Sequence, residues 1–181
     1  MRRMIAAMAA ALLTCAVIVA TAGAASRHAA SKPATAAVSG LDKMSLQTSM
    51  QGDVFEIIGG KLALKKTHNP AVAKLARTLI KDHTKSYKDA VELAKEFGVP
   101  VEKTPSPTEV WQLLTVAKVR GATFDRWYTS LEVYDHVQDI QETTGEIRDG
   151  SNTEVVANAK QDLPVLKKHL KMAKDALKTV R

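Results

Sequence analysis

A chain of 181 residues with 45% hydrophobic and 25% charged side chains has the composition of a globular domain, not of a disordered or fibrous one. Its formal charge is +7, but the 26 basic and 19 acidic residues are interspersed, and no arginine cluster or aromatic–basic interleaving argues for a nucleic-acid partner. A single cysteine excludes an internal disulfide.

At the start of the chain, Arg2 and Arg3 precede an uncharged stretch, residues 4–22, and Ala22-Gly23-Ala24 supplies the small-x-small pattern at which signal peptidase cuts. Residues 1–24 are therefore expected to be a Sec-type signal peptide, since roughly 18 apolar residues lie near the lower limit for a membrane span. Cys15 follows Thr14, not the Gly, Ala or Ser of a lipobox, so lipidation is not expected. Cleavage after Ala24 would place the mature chain in the periplasm or cell envelope. It would remove the cysteine and leave 24 basic against 19 acidic residues, a net charge of +5. That mild excess favours weak association with an anionic envelope surface or with another protein.

Residues 25–43 are rich in Ala, Ser, Thr, Pro and Lys and read as a disordered tether. Residues 44–181 form the expected helical-bundle domain. Leu46, Met50, Val54, Ile57 and Leu64 recur at helical spacing and predict a helix over 44–67. Asn69-Pro70 caps a second helix over 70–97, with the stripe Val72, Ala76, Leu79, His83, Tyr87, Ala90 and Ala94, stopped by Gly98. A short helix is expected over 108–119. Long helices over 122–148 and 153–179 follow, separated by Asp149-Gly150-Ser151-Asn152; Pro164 should kink the last one.

Four long amphipathic helices predict an all-α four-helix bundle. The short first and last links make two antiparallel hairpins. The long link between the second and third long helices, with its short extra helix, is long enough to cross the bundle, which is the ferritin-like arrangement. A plain up-down bundle with a decorated loop is the alternative.

Four polar residues, one on each long helix, have apolar or small helical neighbours. His83 lies in an apolar stripe. His169 has Val165, Leu166, Met172 and Ala173 around it. His136 has Val133 and Ile140 but also Glu132 and Asp139. Glu56 is flanked by Gly52, Gly59, Gly60 and Ala63. Facing side chains in a bundle build metal sites, and imidazoles with a carboxylate suit Zn, Fe, Cu or Ni. The competing reading of each is a hydrogen-bonded core or boundary residue. No Glu-x-x-His occurs anywhere, which argues against di-iron oxidase chemistry of the usual type, and no phosphate loop or nucleophile elbow is present. Asp82 is expected to face outward or toward a lysine, and Trp111, Phe124, Trp127 and Tyr128 to pack the crossover onto the bundle.

Taken in order, Glu56 with Gly60-Lys61-Leu62-Ala63, Asp82-His83, Phe124-Asp125-Arg126-Trp127-Tyr128 with His136, and Leu163-Pro164-Val165-Leu166-Lys167-Lys168-His169-Leu170 resemble a family of exported bacterial proteins. That family has a ferritin-like bundle and no characterised function, and its members are often labelled outer membrane proteins. The resemblance runs over residues 44–177. Trp127 departs from it, standing where a small residue is expected. The resemblance implies fold and export, not an activity, and no alternating ten-residue strands of a barrel accompany the label. Three functions stay open: a non-enzymatic envelope protein acting by binding, in a stress response for example; a metal-binding or redox bundle using Glu56, His83, His136 and His169; and binding to an anionic envelope polymer.

Overall fold

The computed structural model describes residues 37–180; the expected signal peptide and most of the expected tether lie outside the described residues. In chain order come α1 (Gly40–Lys66), α2 (Pro70–Glu96), α3 (Pro107–Ala117), α4 (Gly121–Asp149) and α5 (Thr153–Lys178). No strand occurs among the described residues. No helix among them is long and apolar enough to cross a membrane.

Polar caps set most of the boundaries. Ser39 and Asp42 form a reciprocal capping box, so α1 begins at Gly40 rather than at residue 44, and residues 40–43 belong to the helix, not to a tether. Asn69 accepts from the Ala71 and Val72 amides, with Pro70 in the first turn. Ser106 and Glu109 make a second capping box for α3. Asn152 accepts from the Glu154 and Val155 amides to start α5, which continues through Pro164. Gly98, at φ 66°, closes α2: its amide turns back to Lys95 and that of Val99 to Ala94, the pair of bonds that requires a left-handed residue between them.

The closest packing is within the pairs α1–α2 and α4–α5, as the short links predict; α2 also lies against α5 and α1 against α4, while α3 rests on α1 and α4. Gly60 brings α1 and α2 together: a β-carbon there would stand 2.7 Å from Ile80 Cγ1 and 3.0 Å from the Ala76 carbonyl oxygen. Two separate apolar clusters result. One joins Ala63, Val72, Leu75, Leu79, Phe124 and Ala173 among others. The other joins Leu46, Met50, Ala90, Ala94, Val99 and Val155. On every long helix the polar residues of interest fall between the positions that supply these clusters or just beyond them. Trp111 and Trp127 are 67% and 45% exposed, so of the four aromatic residues expected to pack the crossover only Phe124 and Tyr128 are buried.

Asp42 also ties α1 to the α4–α5 turn. Its carboxylate accepts from the Ser39 amide (2.6 Å), the Ser151 amide (2.9 Å) and hydroxyl (2.7 Å), and the Asn152 amide (3.1 Å). Burial would raise its pKa, but these donors outweigh burial and hold it well below the usual carboxylate range. Asp42→Ala should destabilise the protein by about 3 kcal/mol, because it strands several buried donors at once. Urea denaturation would show this as a lower midpoint at unchanged slope; a loss under about 1 kcal/mol would mean that water replaces the carboxylate without penalty.

Candidate metal centre

His83 of α2, His136 of α4 and His169 of α5 meet in the middle of the protein, at 4%, 0% and 0% exposure. Their ring centroids are 5.7 Å (His83–His136), 5.1 Å (His83–His169) and 5.3 Å (His136–His169) apart. One ring nitrogen of each lies within 4.8 Å of those of the other two.

Each ring is held through one of its nitrogens. His83 Nδ1 is 2.8 Å from Asp53 Oδ1, His136 Nδ1 is 2.8 Å from the Glu132 carbonyl oxygen, and His169 Nε2 is 3.0 Å from Asp82 Oδ2. Lys168 Nζ approaches the same Asp82 oxygen at 3.3 Å. His83 Nε2, His136 Nε2 and His169 Nδ1 remain buried with no hydrogen-bond partner. A buried, unsatisfied polar atom costs roughly 1–3 kcal/mol, so three of them on adjoining rings make a place that a ligand would relieve. Carboxylates and carbonyls on the far ring nitrogen are the arrangement that fixes tautomer and ring orientation in metal-binding histidines.

Burial pushes His83 down to about 4, against the pull of Asp82 and Asp162. Burial, and then repulsion from the other two rings, pushes His136 to about 3. Burial likewise brings His169 to about 4, although the Asp82 hydrogen bond opposes it. All three rings are therefore neutral near pH 7, the form in which imidazole binds metals.

A cavity of about 420 Å³ reaches His83 and His169 and is lined also by Asp53, Asp82, Asp139 and Asp162. With Glu142 the lining holds five carboxyl groups against two lysines, Lys85 and Lys168, a balance that favours cations.

Glu56, the fourth expected residue, is fully buried but stands on another side of His136: its Oε1 is 3.7 Å from Nδ1, not from the free Nε2. There it groups with Glu132 and His136. Sequence reasoning missed Asp53, Glu132 and Asp135. Asp53 lies three residues before Glu56 and Glu132 four before His136, so each shares a helical face with a residue already singled out. Asp82, expected to face outward or toward a lysine, reaches both Lys168 and His169 and is 21% exposed.

Four long helices around a buried histidine–carboxylate centre, with the short α3 packed on two of them, define an all-helical protein whose interior is built for polar chemistry. The profile of the family described as Domain of unknown function (DUF4142) matches residues 27–176, and the chain belongs to that family. The fold is similar to that in the crystal structure of a DUF305 fragment from Deinococcus radiodurans, with a TM-score of 0.70 at 12% identity over 79% of this chain and 99% of that one. No curated protein matches the chain.

Proposed function

We propose that this protein is an exported ferritin-like four-helix bundle of the periplasm or cell envelope that binds one transition-metal ion through His83, His136 and His169. The observation that carries the reading is the convergence of three neutral imidazoles, each anchored through one nitrogen and left without a partner at the other. Three such ligands suit Zn, Cu, Ni or Fe. A three-histidine set leaves further coordination positions open, and His83 and His169 border the acidic cavity, which supplies an approach for the ion. Asp53 and Asp82 position two of the rings and offset the charge of the ion. The reading is one of binding, not of a reaction. The exposed α5 lysines, among them Lys167, Lys171 and Lys174, favour contact with an anionic envelope surface as a secondary property.

Metal analysis of untagged protein purified from the periplasmic fraction tests both location and loading. About one equivalent of a transition metal per chain is expected. Protein found only in the cytoplasm would overturn the location, and a chain that stays metal-free after incubation with zinc and copper would overturn the binding reading.

A further inference from the structure

Beside the three histidines lies a group of oxygens that they do not use. Glu56 of α1 and Glu132, Asp135 and Tyr128 of α4 are 0%, 1%, 7% and 1% exposed. Glu56 Oε1 and Glu132 Oε2 lie 3.7 and 3.9 Å from His136 Nδ1, and one oxygen of each shares a sphere of 4.8 Å with that histidine. The His136 Nδ1 proton is committed to the Glu132 carbonyl, so it does not neutralise either carboxylate. Both oxygens of Glu56, Glu132 Oε2, Asp135 Oδ2 and the Tyr128 hydroxyl are buried without a hydrogen-bond partner. Among the described residues no lysine or arginine pairs with any of these carboxyl groups. Buried carboxylates without a counter-ion are strongly unfavourable, so they must carry protons or hold a cation.

We propose that Glu56, Glu132 and Asp135, with the Tyr128 hydroxyl, hold a second divalent cation, distinct from the one assigned to the histidines and separated from it by the His136 ring. Three features favour the cation over simple protonation. The unpartnered carboxyl oxygens come from two helices and face one another. Tyr128 adds a buried hydroxyl beside Glu132 and Glu56, within reach of the Glu132 carboxyl group, so a fourth oxygen stands at the same place. Asp135 contributes a third carboxyl group against Glu56. An all-oxygen donor set selects hard ions such as Mn²⁺, Mg²⁺ or Ca²⁺, whereas the imidazoles select softer ones, so the two adjoining sites differ in what they take.

The test uses chelator-stripped protein given one equivalent of Zn²⁺ and then titrated with Mn²⁺, with free Mn²⁺ read by electron paramagnetic resonance. Wild type should retain one Mn²⁺ per chain. Glu56→Gln and Glu132→Gln should each weaken Mn²⁺ binding at least tenfold while Zn²⁺ stays bound, and His83→Ala should lose Zn²⁺ but keep Mn²⁺. Circular dichroism establishes that each variant is folded; if either Gln variant is not, Asp135→Asn takes its place. No Mn²⁺ uptake by wild type would overturn the proposal and leave a proton-sharing carboxyl cluster. Mn²⁺ binding that survives both Gln changes but disappears in His83→Ala would overturn it too, by placing Mn²⁺ at the histidines. Loss of Zn²⁺ binding alone bears on the histidine site and not on this one.

Discussion

Replacing His83 by alanine should weaken zinc or copper binding by about 10³-fold, since one of three protein ligands is lost from a site whose total binding energy is on the order of 10 kcal/mol. His169→Ala should do the same, because His83 and His169 each present one unpartnered nitrogen to the same space. Asp82→Asn is the informative contrast. It keeps every ligand but weakens the group that orients His169, and should cost between about 10- and 100-fold. Isothermal titration calorimetry on chelator-stripped protein reads all three. Equal affinities across wild type and the alanine variants would remove the three-histidine centre as the binding site.

Metal-free protein should lose at least roughly 3 kcal/mol of stability as the pH rises from about 6.5 to about 8, at about 1.4 kcal/mol per proton and pH unit. Burial, first of all, raises Glu132 to about 8 and Asp135 to about 7; Glu146 also stands at about 7, through burial and its neighbour Asp42. The unfolded chain releases these protons near pH 4, so the folded state binds more of them across that interval, and stability falls as pH rises. The histidines act in the opposite sense. Their folded values of about 3 to 4 lie below the unfolded value near 6.5, so between those limits the unfolded chain binds more protons and stability rises with pH. Above about 6.5 that contribution is complete and only the carboxyl groups still titrate. Urea denaturation at a series of pH values would show the decline, and Glu132→Gln should make it shallower, with Asp135 and Glu146 still titrating. A stability that climbs steadily to pH 8 would mean that these carboxyl groups are ionised in the folded protein.

How far the sequence revealed this interior depends on what surrounds each residue. The helices could be read because caps such as Asn69 and Asn152 and stripes such as Val72–Ala76–Leu79 follow simple spacing rules. His83 and His169 could be read because apolar neighbours flank them. Glu132 and Asp139 beside His136 pointed the other way: acidic side chains ordinarily mark the solvent face of a helix, yet Glu132 is 1% exposed and His136 wholly buried. A binary pattern has no sign for a buried carboxyl group, and only three-dimensional placement distinguishes the acidic side of α4 that faces inward from the side that faces water. The reverse held for Trp111 and Trp127, whose size suggested burial while the fold leaves them at the surface.

Asp42 and Lys66 stand near the two ends of α1, and both reach parts of the chain beyond α2. Asp42 grips the α4–α5 turn, while Lys66 Nζ donates to the Ala117 and Val119 carbonyls, at 2.5 and 2.9 Å, and lies 5.4 Å from the centre of the Phe124 ring. A helix can fail a site by sliding or by turning about its own axis, and a slip of one residue turns it by about 100°. Such a slip would swing Asp53 away from His83 and Glu56 away from His136. With both ends clamped, neither motion is open to α1 as a rigid rod. The aim of Asp53 and Glu56 is thus governed by anchors about 15 to 21 Å along the axis on either side, at 1.5 Å per residue. The fold works here as a two-bearing shaft, in which alignment at the centre is set by the mountings.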